Sequence, residues 1–219
     1  MLPRLALVDP ELTLSLPRSV TASTGLDALT QVIEPYVSAR ANRMTDLFCI
    51  EGLRMIATAL PAAYQNGNDL AARASMAWAA LLGGLALANA GLGAVHGFAA
   101  PIGGMFPAPH GAICAAVLPY AMKVNVEALR SRAPGSQALE RYEDVSRLLT
   151  GRPHATADDG VRWIAETCRQ FEIPPLSAYG VREEHIPDLV VKAGQTSSMK
   201  GNPIVLTAEE LRQIALAAL

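Results

Sequence analysis

Two histidines lie in a stretch that has no charged residue and is rich in glycine and proline, GLGAVHGFAAPIGGMFPAPHG at residues 91–111. An apolar core does not require two imidazoles, and a surface loop is usually more polar. Imidazole nitrogens are common ligands of divalent iron and zinc. The segment therefore predicts that His96 and His110 are metal ligands. The alternative is that both are core histidines with satisfied hydrogen bonds.

A second set of polar side chains lies in GLDALTQ, where Asp27 and Gln31 are four residues apart and Glu34 follows closely. Side chains with this spacing share one face of a helix. Carboxylate oxygens, like imidazole nitrogens, are common ligands of divalent iron and zinc, so Asp27 is a further candidate ligand. The alternative for these residues is a solvated polar stripe, which is the usual environment of acidic side chains.

The elements that carry the two histidines must be separate. Pro107, Pro109 and the glycines before them exclude one continuous helix through both imidazoles. A helix is expected to begin next to His110 and to contain Pro119. The two imidazoles would then converge from different elements onto one point.

Apolar residues recur at helical spacing in most of the chain, which predicts an all-α, multi-helix domain over residues 1–219. Residues 4–12, RLALVDPEL, are the exception and predict a short strand that ends in an Asp9-Pro10 turn. Thr156 and Thr207 are predicted helix N-caps. The segments predicted to contain helices are residues 23–37, 43–66, 69–91, 111–129, 138–151, 156–174, 182–195 and 200–219.

The composition excludes several classes of protein. Of 219 residues, 51% are hydrophobic and 17% charged, and the net charge is −2. This composition is globular and gives no basic patch for nucleic acid. Three separated cysteines predict free thiols in a reducing compartment, and the N-terminus does not resemble a signal peptide, so we expect a cytoplasmic protein.

One region could be mistaken for a membrane span, because no Asp, Glu, Lys or Arg occurs between Arg73 and Lys123. Polar residues and prolines interrupt this run, which favours a buried helix pair, and we expect no membrane contact. The same region holds GLGAVH, which nearly matches a dinucleotide-binding fingerprint. However, His96 replaces its last glycine, and the segment follows a predicted helix instead of a strand.

Three segments together resemble the iron-containing alcohol dehydrogenase family. They are TGLDALTQVIEPYVS at residues 24–38, the histidine-containing stretch at residues 84–111 with the following LP, and GNPIVLTAEELRQIALAAL at residues 201–219. The resemblance extends over nearly the whole chain and keeps the order of the segments. It implies a C-terminal helical domain like that of the dehydroquinate synthases, without the N-terminal nucleotide-binding domain of the family.

The resemblance also implies site residues. The family binds a divalent metal, iron or zinc, through one aspartate and three histidines, and Asp27, His96 and His110 match three of these four ligands. Gln31 occupies the position of the remaining metal histidine, and Ala100 that of a further histidine near the nicotinamide. An amide oxygen is a poorer ligand than imidazole for iron or zinc, so weaker metal binding is expected.

The function implied is that of the metal-binding half of an NAD(P)-dependent alcohol dehydrogenase. The metal would polarise the oxygen of a small alcohol or aldehyde, Leu87 and Phe98 would line the substrate pocket, and NAD or NADP would require the N-terminal domain. A homodimer is expected. The alternatives are a metal-dependent lyase on the same domain and a catalytically inactive interaction or dimerisation module derived from the family.

Overall fold

The computed structural model describes residues 5–219, and within that range the regular structure is entirely helical. The all-α class predicted from the sequence is therefore correct. The α-helices are α1 (Arg18–Val37), α2 (Arg43–Gln65), α3 (Leu70–Ala90), α4 (Ala94–Met105), α5 (His110–Arg132), α6 (Gln137–Thr150), α7 (Ala157–Gln170), α8 (Ile186–Gln195) and α9 (Ala208–Ala217). Short 3₁₀ helices occur at Pro10–Thr13, Leu176–Tyr179, Glu183–His185 and Ser198–Gly201.

Helix α5 lies at the centre of the fold. It packs against α1, α4, α6, α7 and α9, and most of its side chains are buried. Helices α1, α2 and α3 pack tightly on one another and form one wall, while α4 lies between α5 and α8. Helix α5 is therefore covered from several sides, as is expected of a helix that is apolar around its whole circumference.

Close contact between α1 and α5 depends on a glycine at the start of α5. A Cβ atom on Gly111 would lie 3.0 Å from the backbone oxygen of Ser23 and 3.3 Å from the Cα of Thr24. Only a residue without a side chain lets the two backbones approach this closely. The N-terminus of α5 therefore lies directly against the first half of α1, which brings His110 close to Asp27.

Several helix boundaries follow the local signals in the sequence. Thr156 and Thr207 each form a capping box, with Asp159 and Glu210 respectively, as predicted. Prolines have less effect than their type suggests. Helix α2 continues past Pro61 to Gln65, and Pro35 and Pro119 also lie within helices. Asn42 caps α2, Asp69 caps α3 and Ser136 caps α6 through side-chain hydrogen bonds.

The short strand predicted at residues 4–12 was wrong over the part that the structure describes. Residues 5–9 have no regular structure, and Pro10–Thr13 form a 3₁₀ helix capped by Asp9. Leu5 and Leu7 are 84% and 90% exposed. An extended segment becomes a strand only when it pairs with a second one, and residues 5–219 offer it no partner.

Three helices, α2, α3 and α5, are long and apolar enough to cross a membrane by length and composition alone. In the most apolar 18-residue window of α5, 83% of the residues are buried within the protein, so this helix is covered by other parts of the fold. The windows of α2 and α3 are 39% and 33% buried, and both helices pack on α1. The prediction of a buried helix pair between Arg73 and Lys123 is therefore confirmed for α5 but not for α3, most of whose apolar window is not buried.

Candidate metal centre

Three helices bring the predicted ligands to one point. Asp27 lies in the first half of α1, His96 in the first turn of α4, and His110 is the first residue of α5. The two histidines thus lie on separate helices, which confirms the prediction based on Pro107 and Pro109. Gly91 makes the turn from α3 to α4 with φ +74° and ψ −170°, a conformation that is essentially limited to glycine.

The ligand atoms of these residues lie within bonding range of a single ion. Asp27 Oδ1 lies 3.3 Å from His96 Nε2 and 3.8 Å from His110 Nε2. The thiol of Cys114 joins them, so that one donor atom from each of the four residues lies within 4.8 Å of the others. Asp27 is 15% exposed and His96 is 7% exposed, whereas His110 is 55% exposed and opens the cluster to solvent.

The carboxylate of Asp27 carries an unsatisfied atom. Asp27 Oδ1 is buried and accepts no hydrogen bond from any residue in the described part of the chain, although His96 Nε2 is close. Buried polar atoms without a partner are rare in proteins and cost about 1–3 kcal/mol each. Asp27 Oδ1 and His96 Nε2 are spaced like two ligands of one ion, and they are not aligned as acceptor and donor of a hydrogen bond. The donor set of carboxylate, imidazole and thiol therefore fits a divalent metal.

Glu34 holds His96 in place from the opposite side of the ring. Its Oε2 lies 2.7 Å from His96 Nδ1, and its Oε1 accepts a hydrogen bond of 2.7 Å from the backbone N–H of Val95. This second bond places a carboxylate at the positive N-terminus of α4. With Nδ1 bound to Glu34, Nε2 is the nitrogen that faces Asp27. A carboxylate, an imidazole and a metal in this order are a common arrangement.

The sequence placed Glu34 on nearly the same helix face as Asp27 but allowed a solvated stripe as the alternative. The structure contradicts that alternative, because Glu34 is only 6% exposed and both of its oxygens are hydrogen-bonded. An acidic side chain is seldom buried without such partners. Glu34 therefore has a positioning role that its residue type alone does not reveal.

The charges of the cluster shift its pKa values. Burial alone would lower the pKa of His96, but the adjacent Asp27, Cys114 and Glu34 outweigh burial and raise that pKa to about 12. Burial alone would raise the pKa of Asp27, yet His96 and His110 outweigh it and lower that pKa below its ordinary value. Without a metal, Asp27 and His96 are therefore an ion pair at neutral pH.

A buried amide supports the helix that carries His96. The side-chain oxygen of Asn202 accepts a hydrogen bond of 3.1 Å from the backbone N–H of Ala94. Asn202 also exchanges hydrogen bonds of 3.1 and 2.7 Å with the side chain of Asn125 on α5. Residues 200–203 look like an ordinary turn in the sequence, so this role was missed. The network fixes the start of α4 relative to α5.

Cys114 was also missed as a member of the cluster. It lies four residues after His110, which puts both side chains on one face of α5. This spacing in HGAIC was the available signal. Cys114 Sγ lies 3.9 Å from His96 Nε2 and 3.6 Å from His110 Nε2. Burial raises the pKa of its thiol to about 12 in the metal-free protein.

The remaining predicted residues differ in how deeply they are buried. Gln31 is half-buried on α1, one turn after Asp27, where its Cβ is 3.2 Å from the position of a Cβ on Gly83 of α3. Leu87 is half-buried on α3, and Phe98 is fully buried in the core. Ala100 is exposed on α4. Metal binding by Gln31 and substrate contacts by Leu87 and Phe98 stay predictions.

A cavity of about 500 Å³ opens beside the cluster. Asp27 and His110 lie in its wall, so the candidate ligands are accessible from it. The other lining residues come from the start of α1, the start of α5 and the segment after α7, and they include Val20, Thr24, Ala112, Phe171, Ile173 and Tyr179. Ser19, Ser23 and Glu172 also line this mainly apolar cavity, and a mostly apolar wall with some polar groups is typical of a small-molecule site.

Comparison with known proteins gives a consistent result. Residues 21–219 match the family model described as "Fe-containing alcohol dehydrogenase family, C-terminal". The chain is 36% identical over 219 residues to the NAD-dependent methanol dehydrogenase of Bacillus methanolicus, and the match covers 99% of this chain and 56% of that protein. It is 33% identical to the 1,3-propanediol dehydrogenase of Citrobacter freundii, covering 97% of this chain and 54% of that one.

Solved structures agree with the sequence comparison. A structure of 1,3-propanediol oxidoreductase superposes with a TM-score of 0.88 at 32% identity, covering 96% of this chain and 55% of the other. An alcohol dehydrogenase from Oenococcus oeni superposes with a TM-score of 0.86 at 34% identity, with 96% and 54% covered. The chain thus spans about half the length of the relatives that it matches. It belongs to the Fe-containing alcohol dehydrogenase family and corresponds to its C-terminal, helical part.

Proposed function

We propose that this chain is the metal-binding half of an NAD(P)-dependent alcohol dehydrogenase. The observation that carries the proposal is the convergence of Asp27, His96 and His110 at the wall of an accessible cavity, with an unsatisfied carboxylate oxygen among them. The relatives named above are dehydrogenases of methanol and 1,3-propanediol. The substrate proposed for this protein is accordingly a small alcohol or aldehyde.

Asp27, His96 and His110 are the residues that would hold divalent iron or zinc. When bound, the metal would supply Lewis-acid polarisation of the substrate C–O group. Glu34 keeps the His96 ring oriented with Nε2 toward Asp27, so little reorganisation is needed on binding. His110 is the most exposed of the three, and substrate would therefore enter along its side of the cluster.

The cavity wall contributes positioning and exclusion of water. Apolar side chains such as Val20, Phe171 and Ile173 offer a nonpolar surface to the alkyl part of an alcohol, and Asp27 and His110 offer polar atoms to its hydroxyl. Holding the reacting carbon in one orientation removes part of the entropic barrier of a bimolecular hydride transfer. Leu87 and Phe98 are proposed as further contacts of the substrate.

Hydride transfer requires NAD or NADP, which we propose is bound by a nucleotide-binding domain of the family's kind. The chain itself, residues 1–219, is proposed to be one domain. We further propose that the protein is a cytoplasmic homodimer that contacts neither membrane nor nucleic acid. Gln31 and Ala100, which replace two histidines of the family, are expected to weaken metal binding and proton transfer respectively.

Metal analysis tests this function directly. The purified chain would be incubated with Fe²⁺ under anaerobic conditions or with Zn²⁺, dialysed, and its metal content measured. About one ion per chain is expected. Asp27→Ala and His110→Ala should each abolish retention of the ion, whereas the control Glu51→Gln, at a glutamate that is 53% exposed on α2, should retain it.

Absence of a retained ion in the folded wild-type chain would overturn the proposal and would favour the interaction-module alternative. Circular dichroism would show that each variant keeps its helical content. Light scattering on the same samples would test the proposed dimer, which a monomeric mass at all protein concentrations would contradict.

A further inference from the structure

We propose that Cys114 is a fourth protein ligand of this site and that its thiolate makes the site selective for zinc. The proposal rests on the metal-binding function proposed above, and it concerns which residue supplies the fourth protein donor, with the substrate oxygen as a fifth ligand. The resemblance described in the sequence analysis assigns that donor to Gln31, one turn after Asp27. The structure instead places a sulfur atom next to both imidazoles.

The position of Cys114 is set by the same helix that presents His110. The two residues are one turn apart on α5, and Cys114 is fully buried beneath the exposed His110 ring. Its Sγ lies 3.6 Å from His110 Nε2 and 3.9 Å from His96 Nε2. Both of the nitrogens that face Asp27 thus also face this sulfur.

The separations agree with the edges of a coordination tetrahedron. Zinc binds nitrogen and oxygen at about 2.0–2.1 Å and sulfur at about 2.3 Å, which implies ligand-to-ligand distances of about 3.3–3.6 Å. The four separations available here are 3.3 and 3.8 Å from Asp27 Oδ1 and 3.6 and 3.9 Å from Cys114 Sγ. Small side-chain movements would bring all four atoms to ligand positions.

The other two cysteines show what a purely structural cysteine looks like in this protein. Cys49 is fully buried in the core formed around α1 and α2, and Cys168 donates a weak hydrogen bond to the backbone oxygen of Ala115. A buried free cysteine usually behaves as a small apolar residue. Cys114 differs from both because its sulfur lies among two imidazole nitrogens and an unsatisfied carboxylate oxygen.

A thiolate would change the chemistry of the site. Soft sulfur donors favour zinc over divalent iron, and a donor set of Asp, His, His and Cys neutralises the charge of a divalent ion completely. The set of one aspartate and three histidines that the resemblance implies neutralises only half of that charge. Cys114 would therefore compensate for the poorer donor at position 31 and hold the ion more firmly.

Cobalt substitution tests the proposal, because Co²⁺ replaces zinc and reports its ligands through its absorption spectrum. The full chain would be titrated with Co²⁺, and the near-ultraviolet band of thiolate-to-cobalt charge transfer would be recorded together with the visible ligand-field bands. The wild-type chain should show both. Cys114→Ser should lose the charge-transfer band, while Gln31→Ala and the control Cys168→Ser should keep it.

Zinc affinity gives a second readout. Removing a residue that hydrogen-bonds to a metal ligand lowers metal affinity by about 10–100-fold. Removing the Cys114 ligand itself should therefore lower the affinity for zinc by at least about 100-fold. Ligand-field bands without a charge-transfer band in the wild-type chain would overturn the proposal for Cys114 and leave the metal-binding function standing. A charge-transfer band that survives in Cys114→Ser would also overturn it. Absence of any cobalt spectrum would count against both.

Discussion

The Oε2 atom of Glu34 lies 2.7 Å from Nδ1 of His96, and the other oxygen of the same carboxylate binds the backbone of the preceding residue, Val95. One buried side chain on α1 therefore fixes both the first turn of α4 and the rotation of the imidazole that this turn carries. The contact determines which ring nitrogen is available to a ligand.

Replacing Glu34 with glutamine should weaken metal binding by about 10–100-fold, because a neutral amide orients the ring less firmly and makes it a weaker base. The helical content should be unchanged, since glutamine has nearly the same size. Competition titration against a chromophoric chelator would measure the affinity. Glu51→Gln, on the exposed face of α2, serves as the control, and equal affinities for both variants would refute a positioning role for Glu34.

Metal affinity should rise with pH between 7 and 8. The pKa of His96 is raised to about 12 in the metal-free chain, so its Nε2 proton is still bound in this range and must leave when the metal binds. Each displaced proton should increase the apparent affinity about tenfold per pH unit. Calorimetric titrations in buffers of different ionisation enthalpy would count the protons released. A binding constant independent of pH would contradict this expectation.

Replacing Asn202 with alanine should lower the free energy of unfolding by about 2–4 kcal/mol, because its loss leaves the N–H of Ala94 and the amide of Asn125 buried without their partner. Denaturant unfolding would measure the change. Asn89→Ala, at an exposed position on α3, should change stability by less than about 0.5 kcal/mol. The same loss in both variants would argue against the buried network.

Replacing Gly111 with alanine should destabilise the protein by about 1–3 kcal/mol, because the new Cβ would force α5 away from the backbone of Ser23. Metal affinity should fall with it, since His110 moves away from Asp27. Gly84 is a matched control, because its Cβ would meet no atom within 4 Å, and Gly84→Ala should stabilise by about 0.5–1 kcal/mol. Thermal unfolding with and without zinc would separate the two effects.

Much of the helical organisation could be predicted from local pattern. Apolar periodicity and capping residues such as Thr156 and Thr207 act within one or two turns, so the sequence was sufficient for them. The separation of His96 and His110 onto two elements followed equally from local chain stiffness at Pro107 and Pro109. The N-terminal strand was wrong because a strand needs hydrogen bonds to another segment, which no local pattern supplies.

The environment of the candidate site was decided by packing between helices. Glu34, Cys114 and Asn202 have residue types that are commonplace on a polar stripe, in a core or in a turn. The one local signal is the spacing of Cys114 four residues after His110, and it does not by itself distinguish a metal ligand from a core cysteine. Glu34 orients the His96 ring, Cys114 lies next to both imidazoles, and Asn202 supports the start of α4. These roles arise only when α1, α4 and α5 pack together. Such roles depend on atoms 18 to 108 residues away along the chain, so they arise from tertiary contacts that local propensity does not contain.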